Sequence, residues 1–393
     1  MFTATLSGEI HLKSNRTQKR FIKRITPSVA LAAGVTADRV RRLTGNRLVI
    51  DAEATDDRMA RVARVFGVAR ANHIQEVKDF DLDSLAAATK EVWGDKVATG
   101  SYGVRVKRVG EHDWKGQDAE RLIGSVLNTE TNTVNLRTPD HWVRVLVHGD
   151  TAWITETSVP GPSGLPLGTQ EPVLSLLSGG FDSVVAAWMM MSRGCPVHFV
   201  HFTLDCAQSD HAIAVADTLQ SSWGYGTSPR VHLIDFQPVK ESIRENVEPR
   251  MRQVTLKVLM AKTAERIAEQ NGIGALVTGD ALGQVSSQTL THLRAIDASI
   301  DIPMLRPLLG FQKQDIIAKA RLIGTADLSA RAKEVCDLSE GLPVAVEAPL
   351  DKVADNAGRI SDSVIDDIVS RELAFRLSDW FPGAYRFEQT IPV

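Results

Sequence analysis

An apolar run that ends directly in a glycine-rich turn restricts this chain more than any other feature. Residues 173–177 (VLSLL) are almost wholly apolar, residues 178–183 (SGGFDS) follow, and Val184, Val185 and Trp188 then lie on a helical pattern. A strand, tight turn and helix in this order expose backbone N–H groups at a helix N-terminus, which carries partial positive charge. The two glycines let a ligand approach the backbone closely. We therefore predict an anion-binding loop; the alternative is a plain glycine turn with Ser183 as the helix cap.

Further apolar runs follow this loop. Residues 197–202, 231–235 and 275–279 are short and apolar, and helical stretches such as 256–268 separate them. Such alternation predicts a doubly wound α/β domain, in which helices cover both faces of a parallel sheet. Ligands of these sheets bind beyond the carboxyl ends of the strands, which is where residues 178–183 lie.

The first 160 residues have a different pattern. We expect two small α+β modules, with strands at 2–12, 47–51, 102–108, 134–136, 142–148 and 151–155, and helices after Ser14, after Asp56, over 85–92 and over 118–127. Residues 160–168 contain three prolines and three glycines, which indicates a linker. The predicted domains are 1–56, 57–162 and 163–393.

Positive charge is concentrated near the start of the chain. The whole chain has a net charge of −3, yet residues 1–50 carry ten Lys or Arg against Glu9 and Asp38. A surface of this kind attracts phosphate groups. We expect nucleic acid to bind there and at a second basic cluster, with a partner-free, solvated helix face as the alternative. The candidate residues are Lys13, Arg16, Lys19, Arg20, Lys23, Arg24, Arg105, Lys107 and Arg108.

The cysteines and the apolar runs indicate the cellular compartment in which the protein is expected. Cys195, Cys206 and Cys336 are too few and too scattered for a disulfide framework, and the apolar run at 29–33 is too short for a membrane span. We expect a soluble, cytoplasmic protein without a membrane partner. His201, Cys206 and His211 lie near one another in sequence but lack a fourth ligand, so no metal site is expected from them.

The loop sequence also resembles a known signature. Ser-Gly-Gly-x-Asp-Ser after a strand is similar to the PP-loop of ATP pyrophosphatases, which cleave ATP between the α and β phosphates and adenylate a carbonyl oxygen. Residues 168–183 and 276–290 further resemble the tRNA 4-thiouridine synthetase family, also called tRNA uracil 4-sulfurtransferases. Residues 104–114 and 121–127 are similar to the THUMP domain of that family, and the basic N-terminus to its ferredoxin-like domain. The resemblance spans essentially the whole chain and implies these three domains in order.

The resemblance implies an ATP-dependent sulfurtransferase that forms 4-thiouridine at position 8 of tRNA, with ATP and Mg²⁺ as cofactors. Asp182 and Cys336 match the catalytic positions. Asp182 organises the loop or Mg²⁺, unless it is only a helix N-terminal acid. The implied ATP-binding residues are Leu176, Leu177, Ser178, Gly179, Gly180, Ser183, His201, Phe202, Lys257, Gly279 and Gln288. Lys257 suits a phosphate partner, although an exposed helix lysine is the alternative.

The source of sulfur stays open at this point. Longer relatives carry a C-terminal rhodanese domain with a persulfide cysteine, and no rhodanese-like segment precedes Val393. We expect either a short-form enzyme that takes sulfur from a cysteine desulfurase or another carrier, or a chain cut before that domain; a role in thiamine thiazole synthesis is therefore in doubt. A homodimer would let one chain hold the tRNA that the other modifies. The rival functions are a PP-loop ligase for a small carbonyl substrate and a non-catalytic tRNA-binding module.

Overall fold

The computed structural model describes residues 1–43, 45–204, 209–285, 288–332, 338, 345, 347 and 349–385. The chain divides into two compact units, Met1–Leu165 and Pro166–Val393. The predicted boundary near residue 57 lies inside the first unit and stays a prediction. In the ranges given above, no helix combines the length and the apolar character needed to cross a bilayer.

The first unit is an eight-stranded sheet with helices. Its elements are β1 (Phe2–Leu6), α1 (Gly8–His11), α2 (Asn15–Ala33), β2 (Val40–Arg42), β3 (Arg47–Ile50), α3 (Asp56–Ala63), β4 (Val68–Lys78), α4 (Leu82–Trp93), β5 (Gly100–Val109), α5 (Gly116–Leu127), β6 (Asn132–Val134), β7 (His141–His148) and β8 (Thr151–Pro160). The strand order is β2-β3-β1-β4-β8-β7-β5-β6. Leu85, Ile123, Val143 and Val145 belong to a buried cluster that joins α4 and α5 to the sheet.

The structure corrects one predicted strand of this unit and adds a long strand that was not predicted. The strand expected over 2–12 ends at Leu6, because the Ser7 hydroxyl accepts a hydrogen bond from the N–H of Glu9 and starts α1. The sequence prediction also missed β4, whose polar residues conceal its alternation. Pairing with β1 on one side and β8 on the other stabilises this 11-residue strand. The helix predicted after Ser14 is confirmed, with Ser14 as its N-cap.

The second unit contains the parallel sheet that the apolar runs predicted. Its elements are β9 (Val173–Leu176), α6 (Phe181–Ser192), β10 (Val197–Thr203), α7 (Ser209–Trp223), β11 (Arg230–Asp235), α8 (Gln237–Asn246), α9 (Pro249–Gln270), β12 (Leu276–Val277), α10 (Leu290–Asp297), β13 (Met304–Leu305), α11 (Lys313–Ile323), α12 (Ala326–Ser329), α13 (Leu350–Gly358), α14 (Asp362–Ser370) and β14 (Leu373–Arg376). The order is β13-β12-β9-β10-β11-β14, and only the edge strand β14 is antiparallel among these described strands.

The register of this sheet determines which loops meet. β9 is central, with β10 on one side and β12 on the other: Leu176 pairs with Val200, and Ser175 with Val277. Because the strands are parallel, their carboxyl ends lie at one edge of the sheet. The loops after β9, β10 and β12 are therefore neighbours at that edge.

Candidate functional site

The loop at residues 178–183 is held closed by its own side chains. The Ser183 hydroxyl accepts from the Ser178 N–H at 3.2 Å and donates to the Gly180 carbonyl at 3.4 Å. Gly179 has φ +78°, and a Cβ there would lie 3.0 Å from the Cα of Ala212. Gly180 is the N-cap of α6. The loop thus leaves a glycine-lined helix N-terminus, as an anion site requires.

Gly279, after β12, packs directly on the first turn of α6. A Cβ at this position would lie 2.5 Å from the carbonyl carbon of Asp182 and 2.6 Å from the nitrogen of Ser183. Glycine is therefore the residue that allows the two loops to approach so closely. Through this contact Gly279 and the loop at 178–183, both predicted to bind ATP, belong to one pocket.

The carboxylate of Asp182 has two partners that the sequence analysis missed. The Lys313 ammonium lies 2.8 Å from Oδ1 and 3.0 Å from Oδ2. The Gln284 amide donates to Oδ2 at 2.9 Å. Lys313 is the first residue of α11, and its charge also lies 5.6 Å from the centre of the Phe181 ring. A cation therefore stands at the edge where the loop would hold an anion.

A second carboxylate, that of the buried Asp280, lies beside this group and was also missed. It accepts from the Lys257 ammonium at 3.3 Å, the Thr278 hydroxyl at 2.8 Å and the Gln288 amide at 3.2 Å, and Arg306 Nε lies 3.5 Å away. Burial acts to raise the pKa of Asp280, but Lys257, Thr278 and Arg306 together lower it below its usual value. Asp280 is therefore an ionised acceptor that joins two predicted ATP-binding residues, Lys257 and Gln288.

The remaining predicted pocket residues lie at the ends of β9 and β10. His201 is buried, and its Nδ1 lies 2.8 Å from the carbonyl oxygen of Leu177, to which it donates. Burial lowers the pKa of His201, so the ring is neutral. The Phe202 ring packs against the core, 4.8 Å from the Phe236 ring. Leu176 ends β9, half-buried, next to Leu177.

Two of the three cysteines, Cys206 and the predicted catalytic Cys336, lie outside the described residues. Cys195 is buried, and burial raises the pKa of its thiol, which suits a packed core residue. Within the described ranges, no three His, Cys, Asp or Glu side chains are grouped to hold a metal ion.

The six basic candidates near the N-terminus lie on α2 or just before it. Lys13, Arg16, Lys19, Arg20, Lys23 and Arg24 are all exposed. On the other side of α2, Phe21, Ile25 and Val29 are buried. The structure therefore gathers these charges on one solvent-facing helix surface.

The basic residues of β5 separate into two environments. Arg105 and Lys107 are exposed, on the sheet face opposite to the buried Val104. Arg108 instead folds back and donates to the carbonyl groups of His112 and Trp114. Lys107 is thus available to a ligand, while the guanidinium groups of both arginines are partly engaged: that of Arg105 is exposed but donates to the carbonyl groups of Val104 and Leu136 and lies over the Trp142 ring.

Three further arginines, which were not among the candidate residues, lie on this same sheet face. Arg47 of β3 and Arg70 of β4 both pair in register with Thr5 of β1, and Arg144 of β7 pairs with Arg105. Burial lowers the pKa of Arg47, and the charges of Arg70 and Arg144 lower it further. Three close guanidiniums form a strong anion-attracting surface. Their positions on separate strands give no signal in the sequence.

Comparisons with known proteins agree with this geometry. Residues 168–361 match the family model described as thiamine biosynthesis protein (ThiI), and residues 80–155 match the THUMP domain. The chain is 36% identical to a tRNA sulfurtransferase of Shewanella frigidimarina, covering 96% of this chain and 80% of the relative. It is 35% identical to one of Desulfurococcus amylolyticus, covering 98% and 78%.

The fold also resembles that of solved structures. A crystal structure of a 4-thiouridine synthetase–RNA complex with bound ATP superposes with a TM-score of 0.81 at 23% identity, covering 95% of this chain and 98% of that one. The Pyrococcus horikoshii protein PH1313 superposes with a TM-score of 0.62 at 18% identity, covering 82% and 100%. At these identities the likeness establishes the fold alone.

Proposed function

Because the chain belongs to the tRNA sulfurtransferase family, we propose that it forms 4-thiouridine at position 8 of tRNA in an ATP-dependent reaction. The observation that carries the proposal is the closed glycine loop at 178–183 with Gly279 packed on it and Lys313 beside it. This arrangement suits a polyphosphate whose α-phosphorus is attacked. Uridine O4 is a poor leaving group, and adenylation turns it into a good one.

The first half of the reaction is adenylation. Uridine O4 attacks the α-phosphorus of ATP, the bond to the β-phosphate breaks, and pyrophosphate leaves. The loop N–H groups bind phosphate oxygens, and the Lys313 ammonium, 2.8 Å from Asp182, offsets the negative charge that builds up on them. Catalysis then rests on positioning and on charge neutralisation.

Mg²⁺ fits this site as a phosphate-bound ion. The Asp182 carboxylate already accepts hydrogen bonds from Lys313 and Gln284 and has capacity for about one more partner. Mg²⁺ commonly takes one or two carboxylates together with substrate phosphates. Asp182 would hold the ion, which would add positive charge at the pyrophosphate leaving group.

The second half of the reaction transfers sulfur. The terminal sulfur of a persulfide on a carrier protein attacks C4 of the adenylated uridine, and AMP leaves. The Cys336 thiolate then attacks the carrier sulfur of the resulting disulfide, which releases 4-thiouridine and leaves a Cys336–carrier disulfide. An external thiol must reduce that disulfide before the next turnover. A cysteine desulfurase is the proposed source of the persulfide.

The first unit supplies the proposed grip on tRNA. Both basic surfaces, the outer face of α2 and the sheet face with Arg105 and Lys107, present positive charge to solvent. RNA helices are recognised largely through phosphates and shape, and an enzyme that acts on a base must take it out of the stack. Binding is therefore expected to weaken steeply with salt.

The test is the amount of 4-thiouridine formed in unmodified tRNA with Mg·ATP, cysteine and a cysteine desulfurase. Cys336→Ser is expected to abolish thiolation and to keep tRNA-dependent pyrophosphate release, with Cys206→Ser as the matched control. Pyrophosphate release that needs no tRNA would favour a ligase for a small carbonyl substrate. The proposal would be refuted if the wild-type chain gave no thiolation and no pyrophosphate release.

A further inference from the structure

The Gln288 side chain has a fixed polarity, because Asp280 determines which end of the amide faces it. Gln288 Nε2 lies 3.2 Å from Asp280 Oδ1, and the residue is only 7% exposed. An ionised carboxylate can only accept hydrogen bonds, so the Gln288 NH₂ group must face it. The opposite, carbonyl end of the amide must then point away from Asp280.

The charge state of Asp280 is secured by its other partners. Lys257 of α9 and Arg306, directly after β13, are cations from two different segments, and the Thr278 hydroxyl donates from the same loop as Asp280. Arg306 is itself anchored at 2.8 Å by Asp297 of α10. With two cations beside it, the carboxylate has no reason to take up a proton.

The carbonyl oxygen of Gln288 is left without a partner. Among the described residues, no donor lies within hydrogen-bond distance of this Oε1, although the atom is buried. A buried acceptor without a partner is costly, so such an atom commonly marks a place that a ligand completes. The missing partner must be a hydrogen-bond donor.

ATP with ionised phosphates offers few donors: the 6-amino group of the base and the two ribose hydroxyls. Gly279, beside Asp280, touches the first turn of α6 at Asp182 and Ser183, where phosphates are proposed to bind. The ribose is bonded directly to the α-phosphate, whereas the base lies beyond it. His201 and Phe202, which the family resemblance implies to hold the adenosine moiety, lie on β10, on the other side of β9 from β12. The ribose is thus the part of ATP nearest to Gln288.

We propose that Asp280 is a positioning residue, which orients the Gln288 carbonyl to accept a hydrogen bond from a ribose hydroxyl of ATP. This inference rests on the proposed function, since it assumes that ATP occupies the site. It assigns Asp280 a role in selecting ribonucleotides over deoxyribonucleotides. Loss of a donor from the ligand would leave Oε1 unpaired, which corresponds to a roughly 10- to 100-fold loss of affinity.

The experiment measures competition of nucleotides for the full-length chain by equilibrium binding, so it needs neither tRNA nor a sulfur donor. We expect the exchange of ATP for inosine triphosphate to cost no affinity at the Gln288 contact. Either 2′-deoxy-ATP or 3′-deoxy-ATP is expected to bind roughly 10-fold or more weakly than ATP. Equal binding of ATP and both deoxy analogues would overturn the proposal. A penalty for inosine triphosphate alone would also overturn it, because the donor would then be the 6-amino group.

Variants test the part played by Asp280. In the Asp280→Asn variant the side-chain amide can donate a hydrogen bond as well as accept one, so the Gln288 amide is free to turn. The ratio of the affinity for ATP to that for the deoxy analogue is then expected to fall towards one. Asp280→Glu is expected to retain it. Asp297→Asn is the matched control, since it contacts the same Arg306 but not Gln288. An Asp280→Asn variant that binds ATP yet keeps full discrimination would refute the role of Asp280, while wild-type failure to bind ATP would instead refute the proposed function.

Discussion

The ammonium of Lys313 lies 2.8 Å from the carboxylate of Asp182, although 131 residues separate them in the chain. Asp182 stands in the first turn of α6 and Lys313 at the start of α11. Gln284 donates to the same carboxylate from the loop after β12. Three segments thus meet at the edge of the sheet where the loop at 178–183 opens.

This ion pair predicts a role for Lys313 in adenylation. Lys313→Gln removes the positive charge beside the loop, so we expect the rate of tRNA-dependent pyrophosphate release to fall by roughly 100-fold, the scale found for loss of one preorganised charge-stabilising group. Lys313→Arg should retain part of the rate. Lys319→Gln, on the same helix but packed over the Trp188 ring, is the matched control. A Lys313→Gln enzyme with the wild-type rate would contradict this role.

Gly279 yields a prediction about packing. The Cβ of Gly279→Ala would lie 2.5 Å from backbone of Asp182, which cannot move aside as a flexible side chain could. We expect a loss of about 1–3 kcal/mol in the free energy of unfolding, together with weaker ATP binding because the loop shifts. Urea unfolding and nucleotide binding measure the two effects.

The control for this prediction is a glycine with open space around it. Gly274 has no atom within 4 Å of an added Cβ and no positive φ. Gly274→Ala should therefore leave both stability and ATP binding nearly unchanged. If the two alanine variants behaved alike, the close approach of Gly279 to α6 would not be needed for the site.

The local parts of this site could be predicted from the sequence, and the long-range parts could not. The glycine loop and the parallel strands around it each depend on a few consecutive residues, as does the Ser14 cap of α2 in the first unit. Lys313, Asp280 and Arg306 depend on strand order, which brings the ends of distant segments together. A single polar residue in an ordinary helix or loop gives no sign of such a partner.

The same limit applies to the basic surfaces of the first unit. The charge count over 1–50 identifies α2, because its basic residues are close in sequence. Arg47, Arg70 and Arg144 lie on three strands, and only the sheet places them on one face. Conversely, Arg108 belongs to a basic run, yet its side chain folds back on backbone carbonyl groups.

The sheet face predicts how tRNA affinity depends on salt. Arg144→Gln should weaken tRNA binding and reduce the slope of log K against log salt by roughly 0.7–0.9 for one lost phosphate contact. Fluorescence anisotropy with labelled tRNA over a salt series measures both. Arg61→Gln is the control, because Arg61 lies on α3 and already pairs with Asp57. An unchanged slope for Arg144→Gln would exclude this guanidinium from the interface.

His201 predicts how stability depends on pH. Burial lowers its pKa in the folded chain below the value of about 6.5 expected when unfolded, despite the hydrogen bond to Leu177. As pH falls through 6.5, the unfolded chain takes up a proton that the folded chain does not, so the free energy of unfolding falls by up to about 1.4 kcal/mol per pH unit. His201→Gln removes this dependence. Urea unfolding at pH 7.5, 6.5 and 5.5 should therefore show a shallower decline for the variant, whereas a difference from wild type that is the same at every pH would contradict a buried neutral His201.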